Sequence, residues 1–214
     1  MSTINPRSPL LLLILLVTIG GCGILDPDDS SNKPSSGVIM PLKVGNTWIG
    51  RTTMTDRDGA VTSVTYDTLR IVKEKRIDGY IWYEANTGDL YRNDADGLHV
   101  ATGGGMECTC PVVKYPAARL DTFNTVFVPL LFPDYPEAIL TSNFTQVASR
   151  DTAITVPPGT FTCYHYRRRV ESTDPSKPVD AVVIREHEFY APNIGPVKRE
   201  GHDGSRWEVV KYEL

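Results

Sequence analysis

Long apolar runs, helical periodicity and excess positive charge are all scarce in this chain of 214 residues, and each scarcity closes off a class of function. The longest apolar run, Leu10–Ile19, is about ten residues, half of the roughly 20 that a membrane-spanning helix needs. No stretch predicts a long helix. Lys and Arg number 22 against 26 Asp and Glu, for a net charge of −4. Phosphate binding needs a net basic footprint, so nucleic acid is excluded as a partner. The run Arg167-Arg168-Arg169 does not change this, because neighbours on a strand point to opposite sides and form no single-faced patch. There is no Gly-x-Ser-x-Gly elbow, no His-Glu-x-x-His helix and no phosphate-cradling glycine loop. The chain is therefore read as non-enzymatic, with no catalytic residue and no cofactor assigned.

Two weaker constellations fall short on spacing. Asn93-Asp94-Ala95-Asp96-Gly97 approaches a calcium loop, but Arg92 stands at the first ligand position and no glutamate closes the far end, so a hairpin is expected. In Glu186-His187-Glu188, alternation turns His187 away from both glutamates, so with His165 and His202 it makes no oriented acid–base set.

What is present begins with Leu10–Cys22. Arg7, a short apolar core and Gly20-Gly21 ahead of Cys22 follow the order of a secretory signal peptide. With Ile19 three positions before it, Cys22 resembles the lipobox cysteine of bacterial lipoproteins. That resemblance implies cleavage before Cys22, diacylglycerol on its sulfur and acylation of the new terminus. One acyl chain binds a bilayer reversibly, and two or three hold firmly. The expected location is the bacterial cell envelope, with the outer membrane favoured and the lipid anchor as the membrane contact. Losing residues 1–21 removes Arg7 and leaves 21 basic against 26 acidic residues, a net −5.

Residues 22–37 carry the lipidated cysteine and a tether rich in Asp, Ser, Pro and Gly, expected to be disordered and to span roughly 20 Å. Residues 38–214 are the size of one domain. Asp58-Gly59, Asp78-Gly79 and Asp96-Gly97 punctuate β-branched and aromatic runs, which predicts an antiparallel meander. A parity change in Val61–Lys73 predicts a bulge near Asp67-Thr68. Pro157-Pro158-Gly159 predicts a type II turn with glycine at positive φ. The whole predicts an all-β fold, a curved antiparallel meander in the form of an open barrel or half-barrel, with about nine or ten strands.

Residues 103–142 break the rhythm, and Pro129, Pro133 and Pro136 forbid a central strand there. A loop this apolar, with Phe127, Leu130, Leu131 and Phe132, either plugs the end of the sheet or offers a partner surface. Trp48, Trp82 and Trp207 are the candidate lining of a ligand cavity. With Cys22 lipidated, Cys108, Cys110 and Cys163 remain. An oxidising compartment favours a disulfide from Cys163 to Cys108 or Cys110, closing a loop of about 55 residues and adding a few kcal/mol of stability. Free thiols and a zinc set completed by His165 are the alternatives.

Three motifs carry a wider resemblance. Pro41-Leu42-Lys43-Val44-Gly45-Asn46-Thr47-Trp48 resembles the opening of many uncharacterised bacterial lipoproteins. Val156-Pro157-Pro158-Gly159-Thr160-Phe161-Thr162-Cys163 resembles their V-P-A-G-T-F-x-C turn, and Tyr190-Ala191-Pro192-Asn193-Ile194-Gly195-Pro196-Val197-Lys198-Arg199-Glu200 their Y-A-P-x-V-G-x-V-K-x-E elbow. The resemblance implies an open barrel similar to envelope lipoproteins and carries no active-site residues. Expected partners are a hydrophobic ligand or an envelope protein. A structural or interaction lipoprotein without a ligand cavity is the alternative, and a metal-dependent enzyme built on Cys108, Cys110, Cys163 and His165 ranks third.

Overall fold

The computed structural model describes residues 37–102, 106–107, 111–127, 140–173 and 182–214. The expected leader, Cys22 and expected tether up to residue 36, together with Cys108, Cys110, Leu130, Leu131 and Phe132, lie outside the described residues. The described part is all β, with strands β1 Thr47–Thr55, β2 Val61–Ile77, β3 Tyr80–Ala85, β4 Leu90–Asp94, β5 Gly97–Thr102, β6 Met106–Glu107, β7 Val113–Lys114, β8 Thr122–Phe127, β9 Leu140–Val156, β10 Gly159–Thr173, β11 Val182–Ala191, β12 Gly195–Gly201 and β13 Ser205–Glu213. They form one antiparallel sheet in the order β6-β5-β4-β3-β2-β1-β13-β12-β11-β10-β9-β8, with β7 added on β5. The sheet curls into a nearly closed barrel with one unsealed seam. The expected fold class holds. The strand count exceeds the nine or ten expected because β6, β7 and β8, the first two only two residues long, fall in the 103–142 excursion where no strand was expected.

Turns form at all three Asp-Gly pairs, but only Asp78-Gly79 makes the corner alone; Asp58-Gly59 lies in a five-residue connection, and at Asp96-Gly97 the corner is Ala95-Asp96 while Gly97 opens β5. Asp56 caps the first, its carboxylate accepting from the backbone N–H of Asp58 and Ala60. Asp78 and Gly79 both take positive φ (49° and 82°) in a two-residue hairpin, as a tight turn matched to strand twist requires. Two local expectations are corrected. No register shift occurs at Asp67-Thr68; the bulge falls between Ile71 and Lys73, where β2 pairs with β3. Val64 and Tyr66 simply face outward and stay exposed while Asp67, Leu69 and Ile71 share the other face, so no bulge is needed to account for the pattern. At the proline hairpin Gly159 takes the expected positive φ (148°), but Val156 pairs with Gly159, so the two prolines rather than Pro158-Gly159 occupy the corner and Gly159 opens β10.

The core runs along the concave face, with Trp48, Ile71, Val147, Tyr166, Val197 and Val209 all nearly inaccessible. Two distant motifs meet at one end. Trp48 Nε1 donates to the Ile194 carbonyl (2.7 Å), Asn193 N–H to the Val38 carbonyl (2.8 Å), and Asn46 Nδ2 to the Pro41 carbonyl (3.0 Å). Gly195, at φ 104°, leaves the space that Met40 and Trp48 fill. At the seam, residues 111–121 reach between the two margins of the sheet. Val112 N–H donates to the Leu98 carbonyl (2.8 Å) on one side, and Leu120 N–H to the Val147 carbonyl (2.8 Å) on the other. Tyr166 Oη donates to the Lys114 carbonyl at 2.8 Å. Val113, Tyr115 and Ala117 are buried there; the apolar loop expected to plug the sheet or offer a partner surface lies outside the described residues beyond Phe127.

Candidate binding cavity

The concave face does not fill completely. A cavity of about 490 Å³ lies between β2, β4 and β5 on one wall and β10–β13 on the other. Met40, Trp48, Leu69, Leu98, Val100 and Val112 give it an apolar side. Gly50 shapes its rim: a Cβ there would collide with Trp207 Nε1 and Asp67, so glycine lets the Trp207 indole lie across β1 and donate to both Asp67 carboxylate oxygens (3.0 and 3.2 Å).

The opposite side is polar, and strand register assembles it. Tyr166 pairs with Glu188 and Arg168 with Glu186, so alternation turns Arg168, Glu186 and Glu188 to one interior face. Arg168 Nη2 lies 2.8 Å from Glu186 and Nη1 3.3 Å from Glu188. Burial pushes the Glu188 carboxyl above its usual range, aided by the charge of Glu186, with Arg168 and Arg199 opposing. Burial would lower the Arg168 guanidinium, but Glu188 and Glu186 more than offset it and hold it charged. Arg168 Nε is buried without a hydrogen-bond partner among the described residues. Beside this cluster, burial raises the Tyr190 phenol and, with Asp89, pushes Tyr91 up to about 12, so both hydroxyls stay protonated and available to donate.

On the outer face of the same strands, His165 Nε2 and His187 Nδ1 lie 2.8 Å apart, and His165 stacks on Phe189 at 4.5 Å. His187 therefore points away from both glutamates, as alternation requires. Burial, with His187 and Arg167 nearby, pushes the His165 imidazole down to about 4.

Of the tryptophans proposed as one lining, Trp48 and Trp207 reach the cavity and Trp82 does not. Alternation in β3 sends Tyr83 toward the core and Trp82 to the opposite face, where the Arg92 guanidinium lies 4.5 Å from its ring centre. Cys163 is fully buried, its thiol pushed up to about 12 by desolvation and donating to the Phe161 carbonyl at 3.7 Å. Its expected partners Cys108 and Cys110 lie outside the described residues, as does most of the apolar loop; Phe127 ends β8 opposite Thr141. The sequence reading sets Arg168 and Glu188 aside, as members of a solvated strand and of an unoriented acid–base set, and does not single out Tyr190 and Tyr91 as cavity residues. The alternation of Arg-Glu-His-Glu-Phe-Tyr at 185–190 could have flagged two carboxylates on one face, but not which face turns inward.

No family model matches the chain, and no curated protein does. Two solved structures are similar. One, from Bacteroides fragilis, is provisionally described as an exported protein with a YmcC-like fold; it is 15% identical, covers 83% of this chain and 100% of its own, and superposes with a TM-score of 0.44. The other, from Parabacteroides distasonis, is provisionally described as a lipoprotein; it is 16% identical, covers 83% of this chain and 99% of its own, with a TM-score of 0.43. At this level of likeness neither lends a function to this chain.

Proposed function

We propose that the domain is a non-enzymatic binding module of the bacterial cell envelope, held to a membrane by lipid on Cys22, that takes an amphiphilic small molecule into its concave face. The observation that carries the reading is the cavity of about 490 Å³ with one apolar side and one polar side. Its volume lies within the about 300–1,000 Å³ typical of small-molecule sites, which combine apolar walls with a few placed polar groups. The hydrophobic ligand expected from the sequence gains a polar head. Its apolar body packs on Trp48, Leu69, Leu98 and Val100, and its head accepts from Arg168 Nε and the tyrosine hydroxyls. Leader chemistry supports the anchor, since charge, length and small residues before Cys22 agree.

The test is titration of the purified protein with cis-parinaric acid, read as energy transfer from Trp48 and Trp207. Saturable binding at one equivalent, lost when Leu98→Trp fills the cavity, is expected. Transfer that never saturates, or that Leu98→Trp leaves unchanged, refutes the cavity reading. The anchor is tested separately: Cys22→Ser should move the protein from the membrane to the soluble fraction.

A further inference from the structure

The β4–β5 hairpin carries a second arrangement, on the face opposite the cavity. Asp94 is the last residue of β4, Asp96 sits in the two-residue turn, and His99 follows on β5. One ligand atom from each lies within 4.8 Å of the others. His99 Nε2 is 3.0 Å from Asp96 Oδ1 and 3.6 Å from Asp94 Oδ2. The His99 side chain is only 4% exposed, and its Nε2 faces the two carboxylates with Asp96 as its hydrogen-bond partner, while Nδ1, on the far edge of the ring, is buried without a partner among the described residues. The cluster brings one buried imidazole nitrogen and two carboxylate oxygens to a common point, a donor set that a cation can bridge.

We propose that Asp94, Asp96 and His99 form a divalent-cation site suited to zinc. Zinc bonds to nitrogen and oxygen are about 2.0–2.2 Å, so tetrahedral ligands sit about 3.4 Å apart, and the two measured separations straddle that value. A mixed nitrogen and carboxylate set suits zinc better than calcium, which takes six to eight oxygens. The site is held in place beforehand. Tyr115 N–H donates to the Asp96 carbonyl (3.0 Å), and Gly97, at φ 142°, allows the turn to pack directly on Val113. Arg92 Nη2, 2.7 Å from Asp94, orients that carboxylate while its guanidinium rests over Tyr80 and Trp82. Asp96 is 57% exposed, so solvent reaches the site and a water can complete the fourth position. A bound ion would tie β4, the turn and β5 together beside the segment that spans the seam.

Calorimetric titration of the full chain with zinc chloride, in chelator-free buffer, tests this against Asp96→Asn, His99→Asn and His165→Ala. The expected result is one equivalent of zinc that Asp96→Asn and His99→Asn remove and His165→Ala retains. The affinity loss should exceed about 100-fold, because changes to groups merely supporting a metal ligand already cost about 10–100-fold. Should His99→Asn fail to fold, Asp96→Asn decides alone, since its side chain is solvent-exposed and its removal leaves the turn intact. No saturable zinc binding by the unmodified chain, or a stoichiometry that Asp96→Asn does not lower, overturns the proposal.

Discussion

Replacing Arg168 with methionine should be among the most damaging single changes to this domain, and for an electrostatic reason. The guanidinium lies between Glu186 and Glu188, at 2.8 and 3.3 Å, inside the barrel. Methionine keeps the length and removes the charge, leaving two carboxylates facing each other with little water. Breaking a buried ion pair by deleting one partner costs about 3–5 kcal/mol. Arg168 retains 25% side-chain exposure toward the cavity, so the lower end, about 3 kcal/mol, is expected, or about 6–12 °C in Tm for a domain of this size. The assay is urea unfolding followed by tryptophan fluorescence. Its pH dependence carries the sharper test. Glu188 already titrates above its usual range in the fold, and more so without Arg168. As pH falls, the folded variant therefore binds a proton before the unfolded chain does, and its stability falls as pH rises through that raised value. Lowering the pH to about 5 should recover part of the loss, and adding Glu186→Gln and Glu188→Gln should recover most of it at neutral pH. A loss below about 1 kcal/mol, or one that neither acid nor the added glutamines relieves, would refute the buried-pair argument.

Four further outcomes follow from the same geometry. Tyr166→Phe strips the Lys114 carbonyl of its donor and should cost about 1–3 kcal/mol in urea unfolding, with faster hydrogen exchange along 111–121. Gly50→Ala should displace Trp207 from Asp67, costing about 1–3 kcal/mol and weakening parinaric acid binding together with a change in Trp207 emission. His165, held neutral with its imidazole near 4, favours the fold above the unfolded value of 6.5 and loses that contribution as pH falls toward 4; His165→Gln should flatten this part of the stability curve, and an NMR titration should find its ring proton moving only near the bottom of that range. Cys163, pushed up to about 12, should resist iodoacetamide in reduced native protein and label on unfolding, as peptide mass mapping would read; rapid native labelling contradicts its burial.

Local chemistry made much of the barrel legible. Asp-Gly turns and alternating β-branched runs specify hairpins through φ and pleat, which neighbours along the chain decide. The motif pieces around Trp48 and Ile194 were visible as motifs; that they bond to each other was not, because their contact spans 146 residues. Cavity residues were harder to see. In β2 alternation alone could not separate a bulge from outward-facing Val64 and Tyr66, and in β3 it put Trp82 on a face whose direction depended on how the sheet curls. Asp94 and Asp96 were inspected as calcium ligands, while His99 escaped notice because it lies on β5, three residues beyond Asp96.

The amino-acid sequence by itself determined the all-β class and where its hairpins turn, since these depend on residues adjacent in the chain; the export chemistry at Cys22 is an expectation that the Cys22→Ser experiment tests. Only the tertiary structure decided which strand faces turn inward, how Arg168 meets Glu186 and Glu188, and how residues 111–121 span the seam. Those outcomes follow from register and curvature, and both are set by hydrogen bonds and packing between segments far apart in the chain.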